Sequence, residues 1–154
     1  MTAQQLWNEY TAVHKPLHQS YQAWAFGCDA DLLANLVACG QKTATASLHL
    51  LYQLENEPIP QAGSYHIILD SQNQARCIIQ TTKVYITPFD TVTEEHAWKE
   101  GEGDRTLQFW QEVHRNYFSK CLQEMGKTFA ESMGVVCEEF RVVYQAKENS
   151  CDKT

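Results

Sequence analysis

The sequence predicts a small α+β domain in which a curved, mainly antiparallel sheet packs against helices. Helical and extended patterns are mixed along the chain without an internal repeat, and the segments "SYHIILD" and "ARCIIQTTKVYI" are separated only by the polar turn "SQNQ". Both segments are rich in β-branched and aromatic residues, which favours a hairpin of two antiparallel strands. A chain of 154 residues is long enough to bury a core of its own, so one domain is expected.

The helices are indicated by periodicity and by their end signals. Residues 1–24 carry apolar side chains at spacings near three and four and are predicted to form an N-terminal helical extension, which Pro16 would break or kink. Helices are further predicted near 29–39, which ends at Gly40, and near 105–125. The segment "SLHLLYQLENE" is predicted to be a short helix.

A last strand is predicted in "VVCEEFRVVYQ", before a charged C-terminal segment. The resulting organisation is an extension over 1–24, one domain over 25–146 and a flexible tail over 147–154.

Composition and charge limit the functions that this chain can have. The formal net charge of −7 disfavours binding of a long nucleic-acid duplex, and no apolar run approaches the length of a membrane span. The start "MTAQQLWNEY" lacks the pattern of a secretory signal, so a cytoplasmic location with six reduced thiols is expected. No CxxC pair occurs, and His96 and His114 stand singly on predicted helices, so neither a metal nor another cofactor is predicted.

The segment "CGQKTATASL" is the first candidate for chemistry. In the simpler interpretation Lys42 is a cation beyond a helix C-terminus, where the helix dipole favours it, and the threonines begin a strand. In the functional interpretation Lys42 and Thr45 converge on one pocket. A lysine partly shielded from water could then take the proton of the hydroxyl and make it nucleophilic.

The loop "EGEGDR" is the second candidate. Its glycines disfavour a regular helix, so a loop that presents carboxylates is expected. Acidic residues before a helix N-terminus are also stabilising in themselves. However, seven acids against two basic residues between positions 90 and 112 are enough to tune an active site.

These residues, together with "LYQLENEPIPQAGSYHIILD", the Thr-Thr strand and "VVCEEFRVVY", resemble the ASCH domain family, a branch of the PUA-like superfamily. The resemblance covers roughly residues 24–144. It implies a small PUA-like β-barrel, mainly antiparallel and flanked by helices. The chain departs from its relatives at Phe26-Gly27-Cys28 and at Gly63-Ser64, so no site role is assigned to either segment.

The resemblance also implies functions and site residues. Family members are linked to RNA binding, to ribonuclease activity and, in one bacterial branch, to removal of the acetyl group from N4-acetylcytidine. Matched by motif, the catalytic set of that branch is Lys42, Thr45 and a glutamate, which is Glu100 by the Thr-Glu-x-His-Ala run or Glu102 by the spacing to the long helix. The predicted substrate-binding residues are Gly40, Ser47, Asp104 and Arg105.

Two classes of function therefore stay open. The first is a hydrolase of a small amide such as an N4-acylated cytidine. The alternative is a module, or a ribonuclease, that uses the same cleft to bind RNA or a nucleotide. Carboxylates repel phosphates, which favours a neutral nucleoside-like small molecule over a short RNA as the partner.

Overall fold

A computed structural model describes residues 1–147 of the chain. The helices are α1 (Ala3–Val13), α2 (Ala30–Ala38), α3 (His49–Leu54), α4 (Glu94–Glu100) and α5 (Leu107–Gln123). The strands are β1 (Gln22–Ala25), β2 (Ala44–Leu48), β3 (Tyr65–Leu69), β4 (Ala75–Pro88) and β5 (Gly134–Gln145). The predicted α+β class is confirmed. Within the described residues, no helix combines the length and the hydropathy of a membrane span.

The strands are hydrogen-bonded in the order β1-β3-β4-β5-β2. The predicted hairpin is confirmed, because β3 pairs antiparallel with β4 and places Ile67 opposite Ile78. β2 pairs antiparallel with β5, whereas β1 pairs with β3 in parallel. The sheet is therefore mainly antiparallel, as expected.

Most predicted element boundaries lie within two residues of the observed ones. The short helix predicted from Ser47 ends three residues earlier than expected, at Leu54, and two further differences have physical reasons. Ser47 and Leu48 were assigned to a helix but belong to β2, because they form ladder pairs with Val136 and Val135. The N-terminal extension contains the helix α1, but it ends in the strand β1 from Gln22 onward. Of the predicted tail, residues 148–154 lie outside the described part of the chain.

Contacts divide the chain into two compact units. The first unit comprises 1–43, 61–83 and the chain from 140 onward, and the second comprises 44–60 and 84–139. The chain passes from one unit to the other within β4 and within β5.

Helices α1 and α2 bury apolar faces against strands in the first unit. Leu6 and Trp7 of α1 pack with Tyr65 and Ile67 of β3. The α2 face packs with a second set of strand residues: Ile68, Cys77, Ile79 and Phe140. Burial of such side chains stabilises the fold by roughly 25 cal/mol per Å² of apolar surface.

The second unit has one core, in which α4 and α5 pack on β2 and β5. Its strand members are Leu48, Val135 and Cys137, and its other buried members are Phe89, Val92, Ala97, Trp110, Phe118 and Leu122. The N-caps of the two helices are Thr93 and Thr106, whose hydroxyls accept hydrogen bonds from the backbone three residues later. These caps fix where each of the two helices begins.

The cysteines differ in part from expectation. Cys28, Cys77, Cys121 and Cys137 are free thiols, whereas Cys39 is disulfide-bonded, so the expectation of six free thiols is wrong at this position. Cys151 lies outside the described residues.

A buried histidine of the first unit predicts how stability depends on pH. Nδ1 of His66 accepts a hydrogen bond of 3.0 Å from Trp24 Nε1, and burial lowers the His66 pKa to about 4. As the pH falls below about 6.5, the His66 imidazole takes up a proton in the unfolded chain but not yet in the folded one. Protonation therefore favours the unfolded chain, and the folded protein loses stability between about pH 6.5 and 4. Between pH 7 and 4, we expect the free energy of unfolding to fall by roughly 3 kcal/mol more in the natural protein than in His66→Gln.

Denaturant unfolding of both proteins at several pH values measures this difference. In His66→Gln the amide oxygen of the new side chain can still accept from Trp24 and does not titrate, so the variant isolates the histidine. Equal pH dependence in the two proteins would show that His66 titrates alike in the folded and unfolded chains.

Candidate active site

The end of α2 determines where the Lys42 backbone lies. Gly40 takes a left-handed φ of +81°, which favours glycine, and the backbone N–H groups of Gln41 and Lys42 both donate to the Leu36 carbonyl at 3.0 Å. The chain then enters β2 at Ala44. Gly40 itself is exposed, and open space surrounds its Cα on the side-chain side.

The Lys42 side chain is buried, with an exposed fraction of 1%. Its Nζ lies 5.5 Å from the centroid of the Phe26 ring, which in turn packs edge to face with Trp24 at 4.9 Å. An aromatic face attracts a cation, and this attraction strengthens when water is excluded. No site role was expected for Phe26, because the chain departs from its relatives at this segment. The contact with Lys42 becomes visible only in the three-dimensional packing.

Thr45 and Ser47 lie on one face of β2, because side chains in a strand alternate and these residues are two positions apart. The register places Glu138 of β5 opposite Thr45 and on the same face. The Thr45 side chain is half-buried, and its hydroxyl makes no hydrogen bond to another described residue of this unit. The core of the second unit therefore does not engage the Thr45 hydroxyl in a hydrogen bond.

A small cavity of about 240 Å³ opens beside Ser47 and is also lined by Leu51, Tyr52, Glu55 and Glu57. Burial raises the pKa of Tyr52, a hydrogen bond with Ser47 opposes this, and the charge of Glu138 adds to the rise. The cavity thus combines an aromatic ring, hydroxyls and carboxylates. The "TATAS" alternation could have revealed the shared face of Thr45 and Ser47, but Glu138 becomes visible only through the register.

Glu100 is the most enclosed carboxylate of the acidic segment, with an exposed fraction of 1%. Oε2 accepts a hydrogen bond from Trp110 Nε1 and lies 2.7 Å from His96 Nε2. Oε1 lies 3.5 Å from His114 Nε2. Three rings from α4 and α5 therefore surround one carboxylate. His96 is four residues before Glu100 on α4, and this spacing is the one sequence signal that could have predicted their contact.

The Glu100 carboxylate lies on the side of β2 and β5 that faces the core of the second unit. The Glu100 charge contributes, after burial, to raising the pKa of the Cys137 thiol to about 12. Cys137 pairs with Ala46, whereas Thr45 pairs with Glu138 on the opposite face of this strand pair. The structure therefore does not bring Thr45 and Glu100 onto one face of β2 and β5.

The other predicted residues of the acidic loop have visible structural roles. Asp104 accepts hydrogen bonds from the Thr106 side chain at 2.6 Å and from the Thr106 backbone at 2.9 Å, which lower the Asp104 pKa. Arg105 donates twice to the Trp98 carbonyl, and its guanidinium carbon lies 3.7 Å from the centroid of the Trp98 ring. Glu102 is half-buried and accepts the Arg105 backbone N–H through its carbonyl.

Arg105 and Trp98 also line a second, open hollow of about 400 Å³, together with Glu94, Glu95, Thr106 and Leu107. The predicted substrate-binding roles of Gly40, Ser47, Asp104 and Arg105 stay predictions. Within residues 1–147, His, Cys, Asp and Glu side chains form no group of three or more that could hold a metal ion.

Known proteins with this fold were found by sequence and by structure. A model of the ASCH domain matches residues 22–144. The crystal structure of an ASCH domain from Lactobacillus crispatus JV V101 is 35% identical, with a TM-score of 0.88 over 92% of this chain and 94% of that chain. A protein from Enterococcus faecalis V583 is also 35% identical, with a TM-score of 0.84 over 96% of this chain and 95% of that chain.

An ASCH protein from Zymomonas mobilis, solved as a serine-to-alanine mutant, is 10% identical, with a TM-score of 0.51 over 79% of this chain and 66% of that chain. This similarity concerns the fold alone. No curated protein matches the chain significantly.

Proposed function

Because the chain belongs to the ASCH domain family, we propose that it is a hydrolase of a small amide, such as an N4-acylated cytidine. Thr45 supplies the nucleophilic hydroxyl, Lys42 accepts its proton, and Glu100 supplies a fixed negative charge. The Thr45 oxygen attacks the acyl carbon, the C–N bond breaks, and the amine leaves with a proton. Water then cleaves the acyl-threonine ester and releases the carboxylic acid.

One observation carries this proposal: among the largest fully buried side chains of residues 1–147, Lys42 and Glu100 are charged and the others are apolar. Taking an ammonium or a carboxylate out of water costs several kcal/mol, so such groups concentrate at functional sites. The resemblance assigns the lysine of the catalytic set to Lys42, and Glu100 is one of the two glutamates that it leaves open. Between the two glutamates that the sequence left open, burial and the three surrounding rings favour Glu100 over Glu102.

The orientation of Thr45 defines the role of Glu100 more closely. Since Thr45 lies on the opposite face of the β2–β5 pair, Glu100 acts without a hydrogen bond to the Thr45 hydroxyl. The carboxylate nearest to Thr45 in the ladder is Glu138, with an exposed fraction of 5%. Glu100 therefore contributes through its charge and its fixed position.

A panel of N4-acylated cytosines and cytidines tests the proposal against its alternative, an RNA- or nucleotide-binding module. The absorbance change on deacylation measures hydrolysis, and a fluorescence assay with short RNAs measures binding on the same preparation. We expect hydrolysis of at least one acylated compound. Tight binding of RNA without hydrolysis of any compound would favour the binding module, and cleavage of the RNA would favour a ribonuclease.

The cavity beside Ser47 predicts a preference for substrates without phosphate. Glu55 and Glu57 at this cavity repel a phosphate dianion, by roughly 1 kcal/mol for the pair at low salt. We therefore expect the ratio of kcat/KM for a nucleoside to kcat/KM for its 5′-monophosphate to be about fivefold smaller in Glu55→Gln/Glu57→Gln than in the natural protein.

The control is Glu112→Gln/Glu124→Gln, which changes the net charge equally at the exposed surface of α5 and at its C-cap. An equal effect of both double variants would mean that net charge, not this cavity, sets the preference. The effect should also weaken as salt is raised.

A further inference from the structure

The hydrogen-bond partners of His114 show how protons are distributed between His114 and Glu100. His114 Nδ1 is 2.9 Å from the Trp110 carbonyl oxygen. A carbonyl oxygen only accepts hydrogen bonds, so Nδ1 carries a hydrogen. A neutral imidazole has one N–H, and the other nitrogen, Nε2, would then direct a lone pair at Oε1 of Glu100, 3.5 Å away. Two acceptors facing each other in a buried site repel, so either His114 or Glu100 holds an additional proton.

The groups around the pair favour His114, and not Glu100, as the residue that holds the additional proton. Oε2 of Glu100 already accepts from Trp110 Nε1 and faces His96 Nε2 at 2.7 Å, and hydrogen bonds to a carboxylate favour its ionised form. The His114 ring stacks on the Trp110 ring with centroids 4.3 Å apart, which favours a cation over a neutral ring.

The other titratable groups that face His114 and Glu100 also leave the additional proton on His114. Glu102 adds a second negative charge near His114. From the strands, the Cys137 thiol and the Tyr85 hydroxyl have raised pKa values, first because both are buried, so both are neutral near pH 7. Burial alone would lower the His114 pKa, but Glu100, the Trp110 carbonyl and Glu102 together raise it above its ordinary value.

We propose that His114 is a positioning residue which, as the imidazolium, holds Glu100 ionised and correctly oriented, and that this arrangement is lost when His114 releases its proton. The effect on catalysis rests on the proposed hydrolase function. The protonation of His114 does not, so the two claims can fail separately.

Nuclear magnetic resonance of the ¹⁵N-labelled natural protein tests the protonation directly. Long-range ¹H–¹⁵N correlations of the His114 ring are recorded between pH 5 and 10. We expect both ring nitrogens to carry hydrogens at pH 7, and the midpoint to fall by about one pH unit or more in Glu100→Gln. A ring with one N–H at pH 7 in the natural protein, or a midpoint unchanged in Glu100→Gln, would overturn the proposal.

The pH profile of hydrolysis tests the positioning role. In the natural protein kcat/KM should fall on the alkaline side with the His114 midpoint. In His114→Gln an N–H donor remains but cannot titrate, so kcat should be roughly 10- to 100-fold lower without that alkaline fall. His14→Gln, at the exposed C-cap of α1, is the matched control and should keep the natural profile. An unchanged alkaline fall in His114→Gln would contradict the positioning role.

Discussion

Replacing Lys42 with methionine should abolish hydrolysis while the protein still folds. Methionine keeps most of the apolar stem that the Phe26 environment accommodates, and it removes the amine that the proposal uses as a base. We expect turnover to fall by at least about 10³-fold, with a melting temperature within a few degrees of the natural value. Initial rates and thermal unfolding of the same preparation provide the two measurements.

Lys42→Arg separates a base from a simple positive charge. Arginine keeps the charge but does not lose its proton near neutral pH, so this variant should be as inactive as Lys42→Met. A Lys42→Arg protein with near-natural turnover would show that only the charge is needed. Loss of ligand affinity alone in Lys42→Met would move the conclusion to the binding module.

The nucleophile has its own matched pair of variants. Thr45→Val preserves the shape of the side chain and deletes the hydroxyl, so it should be inactive, whereas Thr45→Ser should retain activity. Full activity of Thr45→Val would remove Thr45 from the proposal without affecting Lys42.

Replacing Glu100 with glutamine should cost both activity and stability, and Glu102→Gln should cost little of either. The Glu100 carboxylate is surrounded by ring nitrogens of His96, Trp110 and His114, and removing one partner of a buried charged group typically costs about 3–5 kcal/mol. We expect the free energy of unfolding of Glu100→Gln to fall by roughly 3 kcal/mol and kcat by roughly 10³-fold. Glu102 is only half-buried, so its variant should stay within about 0.5 kcal/mol.

Assays well below the melting temperature of each variant keep the two effects apart. Equal losses in Glu100→Gln and Glu102→Gln would contradict the choice of Glu100. A stable but inactive Glu102→Gln would transfer the role to that residue.

His66 and His114 also oppose each other in their effect on stability. The lowered pKa of His66 costs stability as the pH falls, whereas the raised pKa of His114 gives a contribution that is complete below about pH 6.5. That contribution is lost as the pH rises through the folded-state pKa of His114. In a plot of the free energy of unfolding against pH, His66→Gln should therefore change the acidic side and His114→Gln the alkaline side.

Local signals predicted the elements whose determinants lie within a few residues. Gly40 ends α2 because a left-handed residue satisfies the helix C-terminus, and the "SQNQ" turn joins β3 to β4. β1 was missed because its four residues become a strand only by pairing with residues 66–69, more than 40 positions away. Leu48 was misassigned for the same reason, since its ladder partner is Val135.

The same distinction applies to the candidate site. The resemblance proposes Lys42 and Thr45 as candidates and leaves the acid open between two glutamates. Only the structure shows that Glu100 is buried and Glu102 half-buried, which is why the proposal uses Glu100. Three neighbours of the candidate residues carry no local signal, because strand register or tertiary packing places them there: Glu138 opposite Thr45, Tyr52 beside Ser47 and Phe26 near Lys42. His96 is the exception, since its spacing of four from Glu100 on one helix is readable in the sequence.

Proton nuclear magnetic resonance can show whether the natural protein hydrolyses N4-acetylcytidine when it is incubated with this compound under single-turnover conditions. The spectrum resolves acetate, cytidine and unreacted substrate in one measurement. We expect acetate and cytidine in equal amounts, with Lys42→Met as the inactive reference. Unreacted substrate in the presence of excess folded protein, or product formation that is equal in Lys42→Met, would contradict this expectation.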